Sequence, residues 1–235
     1  MLADYQKCVN RESYSFFFSM ILLGLYELLT LLTPRHANGM KMINGVDAWF
    51  ERFLELVPFS TWIISIVLAL IGIWYVFSDK KQGASIQPGM MFVMWLESWL
   101  WAIVIFLALP RLIGKLLLHQ IGPAEAPSFL TEFTLSLGAG FYEEFFFRLI
   151  LVQLLSMLGN FISIPGGKIS IILGSAILFS AAHYIGPYGD KFMLFSFIYR
   201  MIFGLIMSVM LVARNFGITA WTHALYDVLV FMFKP

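Results

Sequence analysis

Residues 90–110 read MMFVMWLESWLWAIVIFLALP, a stretch whose only charge is Glu97. A helix that crosses a bilayer needs about 20 predominantly apolar residues, so this stretch predicts a membrane-crossing helix. Working outward, comparable apolar runs fall at about 14–33, 60–78, 129–158, 168–185, 192–213 and 216–233. Seven spans would use roughly 140 residues, and 60% of the 235 residues are hydrophobic. Charged residues make up 12% of the chain, about half the share usual in a soluble domain, and the mean hydropathy is +0.84. A soluble fold is excluded. The expectation is an all-α, polytopic transmembrane bundle of about seven to eight helices, with residues 1–235 as one integral membrane domain and the lipid bilayer as its surroundings.

Two details refine that outline. The run at 129–158 is long for one span, and Gly138 and Gly140 divide it, which predicts a short helix ahead of the main one. In the break at 34–59, Val46, Trp49, Phe50, Phe53, Leu54 and Val57 alternate with charged residues at helical spacing, which predicts a helix lying in the interface. The first run, 14–33, reads as a retained span, because it is too long for a signal segment and contains Glu27. A net charge of +1 gives no basic surface for nucleic acid. The single cysteine, Cys8, excludes a disulfide framework, a four-cysteine metal site and an intramembrane cysteine nucleophile.

The informative residues are ionisable ones in apolar surroundings, each costing about 2.5–3.5 kcal/mol at the centre of a span. They are Glu27, Glu97, Glu143, Glu144, Arg148, His183, Arg200, His223 and Asp227. Most of them crowd into the last 100 residues. Glu144 and Arg148 are four apart and share a helix face as an ion pair, which leaves Glu143 without a local partner and suited to general-base work. His183 follows Phe179 by one turn, and Phe179 reads most simply as packing under the imidazole. His223 and Asp227, again four apart, point to one place. Together these groups can supply a base, a second proton carrier and donors to a developing oxyanion. Arg200 is expected to pair with Glu97 or Glu27. The zinc-protease motif His-Glu-x-x-His, the Gly-x-Ser-x-Gly elbow and a paired aspartyl signature are missing.

The same residues resemble the CAAX protease and bacteriocin-processing (Abi) family of glutamate-type intramembrane proteases. Its pattern is Glu-Glu-x-x-x-Arg, Phe-x-x-x-His and His-x-x-x-Asn/Asp on separate membrane helices. Here these are Glu143-Glu144 with Arg148, Phe179 with His183, and His223 with Asp227, and Gly204 looks like the family's glycine between the last two motifs. The resemblance covers about residues 137–231, the motif-bearing catalytic core.

That likeness implies a multi-pass protease, in a prokaryotic cell membrane, that cuts a membrane-associated or lipid-modified peptide. It implies that Glu143 and His183 activate a water, that His223 and Asp227 support the oxyanion, and that Glu144, Arg148 and Phe179 back them up. Asp227 stands where the family has asparagine or aspartate. It lacks a proton to donate as a carboxylate, and could instead orient His223. No resident metal is implied, although Glu143, His183, His223 and Asp227 would make a zinc set by ligand type. Two other readings use the same residues: a catalytically silent partner-binding or immunity protein, and a proton-coupled transporter.

Overall fold

The computed structural model describes residues 2–33, 43–49, 62–81, 86–113, 128–162, 167–185 and 189–233. These residues are mostly helical, with no strand among them. In chain order the helices are α1 (Leu2–Val9), α2 (Glu12–Thr30), α3 (Trp62–Lys81), α4 (Pro88–Ile113), α5 (Phe129–Gly138), α6 (Leu151–Ile162), α7 (Gly167–Ala182), α8 (Leu194–Ala213) and α9 (Phe216–Met232). Two π-helical segments, Ala139–Glu143 and Phe145–Ile150, join α5 to α6.

Nine α-helices among the described residues exceed the seven to eight expected, for two reasons. The short α1 precedes the first apolar run, and the long fourth run is wound as α, then π, then α. The split expected at Gly138 and Gly140 is therefore a change of winding, since the backbone stays helical across both glycines. By length and composition, α2, α4 and α8 can each cross a membrane, while α7 and α9 are shorter apolar helices. Residues 45–49 of the expected interfacial stretch are helical, and the rest of it lies outside the described residues.

The apolar pattern is inverted relative to a soluble protein. Leu28, Leu70, Trp74, Phe92, Leu100 and Val212, on four helices, are exposed, as lipid-facing side chains are. Polar groups instead gather inside, where Glu144, Arg148 and His223 are almost fully buried.

The inside is organised around α9, which packs against α2, α4, α5 and the first π segment. Its residues from Gly217 to Tyr226 are all buried. Asn215 caps the start of α9 by accepting from the Ile218 backbone N–H at 2.9 Å, which satisfies one of the helix's free donors. Close approach depends on small residues. A Cβ added at Gly140 would stand 2.5 Å from both the Ala220 carbonyl oxygen and the Ala224 Cβ. A Cβ at Gly217 would stand 2.7 Å from the Ser15 carbonyl oxygen, and the Gly217 N–H donates to Ser15 Oγ at 3.0 Å. Trp221 Nε1–H donates to the Phe18 carbonyl at 2.9 Å, which ties α9 to α2. The π segment that ends at Glu143 is thus pressed directly onto the helix carrying His223.

Candidate active site

Glu143 ends the first π segment, Glu144 is the hinge residue between the two, and Arg148 lies in the second. π turns inside α-helices re-aim side chains at sites, and here they send neighbouring acids to different partners. Glu144 Oε2 is 3.1 Å from Arg148 Nε, as the four-residue spacing predicts. Its other oxygen, Oε1, accepts from His223 Nδ1–H at 2.6 Å. Glu144 therefore does more than neutralise Arg148, because it also fixes the His223 ring and leaves Nε2 pointing away.

His223 Nε2 faces Asp227 Oδ2 at 3.4 Å and Glu143 Oε2 at 4.0 Å. His183, just beyond the end of α7, brings its Nε2 to 3.8 Å from the same Glu143 oxygen. Its Nδ1 is 2.9 Å from the Phe179 carbonyl. A carbonyl can only accept, so Nδ1 carries a proton, and in the neutral ring the lone pair of Nε2 faces Glu143.

Phe179, 2% exposed, is more than a cushion for one imidazole. Its ring meets the His183 ring edge-on at 5.0 Å and the His223 ring at 6.2 Å between centroids. The Arg148 guanidinium lies over it at 4.4 Å, a cation–π contact in a desolvated place. Gly204 makes room for both, since a Cβ there would stand 3.1 Å from Phe179 and 3.4 Å from Arg148 Nη2. Arg148 Nη2–H also donates to the Gly204 carbonyl at 3.3 Å.

Glu143, His183, His223 and Asp227 line one cavity of about 240 Å³, together with Tyr199 and Arg200. Two larger hollows of about 560 and 600 Å³ lie elsewhere and contain none of these groups. The structure therefore brings the sequence-predicted side chains to one point from three separate parts of the chain. Among the described residues, no group of three histidine, cysteine or acidic side chains has the arrangement of a metal site.

Residues 125–229 match the family described as type II CAAX prenyl endopeptidase Rce1-like. That stretch is similar to a family of endopeptidases. Comparison with curated proteins and with solved structures gives no significant match.

All the motif residues lie inside the matched region, but the site also draws on a residue well outside it. Asn44 Nδ2–H donates to Glu143 Oε1 at 3.1 Å, so the acid that lacks a local partner has a distant one. Asn44 is itself held, since its Oδ1 accepts from the Val46 N–H at 2.9 Å and its own N–H donates to the Tyr26 hydroxyl at 3.2 Å. In sequence it is an Asn-Gly pair, a turn signal with nothing to mark its reach. Tyr199 and Tyr226 were also missed, because aromatic residues in apolar runs carry no distinguishing pattern.

The expected partner of Arg200 was wrong. Arg200 pairs with Asp190 at 2.5 Å and lies over the Tyr184 ring at 5.4 Å. Its expected partners are taken: Glu97 binds Arg214 at 2.6 Å and the Tyr5 hydroxyl, and Glu27 accepts from the Tyr142 hydroxyl at 3.0 Å. The loop after His183 carries Asp190 within ten residues of Arg200 in sequence, and this nearer acid wins.

Proposed function

We propose that the protein is a multi-pass intramembrane endopeptidase that cleaves a membrane-associated or lipid-modified peptide, using a water activated by Glu143 and His183. The observation that carries this reading is the gap of 3.8 Å between His183 Nε2 and Glu143 Oε2, with the Nδ1 proton of His183 committed to Phe179. Both sides of that gap are hydrogen-bond acceptors. One water, bonded at about 2.8 Å to each, directs both of its protons at the protein and its lone pairs at the incoming carbonyl carbon.

As the water oxygen attacks, Glu143 takes its proton and later returns it to the leaving nitrogen. Asn44, donating to the other carboxylate oxygen, holds Glu143 in place for both steps. His223 is fixed by Glu144 and stands with Asp227 beside the reacting centre, where the pair supports the oxygen on which negative charge builds.

In this reading the enzyme needs no metal. The zinc-dependent alternative assigns Glu143, His183, His223 and Asp227 as ligands, with the ion lowering the pKa of its water to about 7. Purified protein in lipid nanodiscs, given a fluorogenic lipid-modified peptide, tests both ideas. Hydrolysis that Glu143→Gln and His183→Gln abolish, and that a strong zinc chelator leaves intact, is the expected result. Activity lost on chelation and restored by zinc would replace the water mechanism with the metal one. Turnover that persists in Glu143→Gln would remove the assignment of the base.

A further inference from the structure

Hydrolysis through a tetrahedral intermediate requires donors for the developing oxyanion. Glu143 and Asp227 are acceptors as carboxylates. His183 has its Nδ1–H on the Phe179 carbonyl, and His223 gives its Nδ1–H to Glu144 while turning Nε2 to Asp227 at 3.4 Å. Arg200 is engaged by Asp190 through Nη2 and keeps Nη1 without a hydrogen-bond partner among the described residues, and Ser196 is a turn of α8 nearer the loop that follows His183.

Two phenols, Tyr199 on α8 and Tyr226 on α9, also line the cavity. Their hydroxyl oxygens are 2.5 Å apart. No other hydrogen bond to either hydroxyl is made among the described residues. Two hydroxyls carry two protons, and the bond between them uses one. Tyr226, 4% exposed, is clamped against the Phe203 ring at 4.6 Å and so fixes the position of the more open Tyr199. A hydroxyl that accepts a hydrogen bond is polarised into a stronger donor, so the second proton belongs to an activated O–H.

We propose that the Tyr199–Tyr226 pair is an oxyanion donor of this site, with Tyr226 donating to Tyr199 and Tyr199 presenting its proton to the substrate carbonyl oxygen. The pair supplies the donor that the carboxylate of Asp227 lacks. No proton is transferred. The phenol bonds to the oxyanion as it forms and keeps its hydrogen when the carbonyl is regenerated. This inference rests on the hydrolytic reading of the same cavity.

The test uses the full chain in nanodiscs with the lipid-modified peptide, comparing wild type with Tyr199→Phe and Tyr226→Phe. A phosphinate analogue of the scissile bond, whose charged oxygen mimics the oxyanion, serves as a second probe. Tyr199→Phe is expected to lower kcat about 10²-fold with KM changed less than about twofold, and to weaken the phosphinate by the same factor as kcat. Tyr226→Phe is expected to give a smaller loss of the same kind. In an Asp227→Asn background, where the amide is a substitute donor, the Tyr199→Phe loss should shrink. Unchanged kcat in Tyr199→Phe, or equal weakening of substrate and phosphinate, would overturn the proposal while the protease reading stood. Absence of turnover in the wild type, with the folded protein and its substrate both present, would overturn both.

Discussion

Glu144→Gln removes one negative charge from a carboxylate that holds two partners at once. The side chain is fully buried, paired with Arg148 at 3.1 Å and bonded by His223 at 2.6 Å. Arg148 itself is 2% exposed, and its ion pair among the described residues is with Glu144. Breaking a buried ion pair from one side costs about 3–5 kcal/mol, because the remaining charge is left uncompensated. Glutamine keeps the volume and one acceptor oxygen, which can serve Arg148 or His223 but not both with a charge. We therefore place the loss near the lower end, about 3 kcal/mol. For a chain of this size that corresponds to about 6–12 °C in Tm. The readout is thermal unfolding in a mild detergent, followed by tryptophan fluorescence, for wild type, Glu144→Gln and Glu143→Gln in parallel. Turnover should also fall in Glu144→Gln, because His223 loses the partner that orients it, whereas Glu143→Gln should lose turnover with Tm within about 2 °C of wild type. A Glu144→Gln protein with wild-type Tm would show that Arg148 is neutralised some other way, and the account of the buried pair would be wrong.

Three further outcomes follow from the geometry. Asp227→Asn should keep activity within about tenfold of wild type, since asparagine at 227 can still face His223 and adds a donor worth about 1 kcal/mol. A loss beyond about 10³-fold in steady-state assays would favour Asp227 as a metal ligand. Gly140→Ala should be among the most destabilising substitutions, by at least about 1–3 kcal/mol, because the added methyl meets the backbone of α9 at 2.5 Å. A wild-type melting curve for it would contradict the close packing described. Asn44→Ala should lower kcat about tenfold, the loss of one hydrogen bond to a charged group at about 1.5 kcal/mol. Unchanged kinetics would remove Asn44 from the site.

What could be read in the sequence was what depends on near neighbours. The apolar runs at 90–110 and 192–213 match α4 and α8 to within a few residues, because bilayer thickness sets run length directly. The Glu144–Arg148 pair followed from helical spacing alone. The contacts that complete the site did not, because they bridge distant parts of the chain. Asn44 reaches Glu143 across 99 positions, and His223 reaches Glu144 across 79. Helical periodicity could bring His223 and Asp227 together, but could not show that Glu144 would take the opposite ring nitrogen. The glycines at 138 and 140 were visible as an irregularity. Their effect was decided by Tyr26 against Gly138 and by Ala220 and Ala224 against Gly140, which no local rule encodes. Arg200 failed for the reverse reason, since a distant buried acid was preferred over Asp190 in a loop.

The central position of α9 has a consequence for how the protein is made. In chain order this helix emerges after α2, α4 and α5, the helices that enclose it. Until it arrives, the ribosome has delivered to the bilayer an incomplete ring whose inner faces have only lipid or one another to rest on. Glu144 and Arg148 can neutralise each other during that interval, being four residues apart on one segment. Glu143 has Asn44, already synthesised, to meet it. His223 comes last, on the helix whose Ala220 and Ala224 close on Gly140. Synthesis thus delivers the rim before the middle, and the Glu144–Arg148 pair is complete before the histidine that joins it has been made.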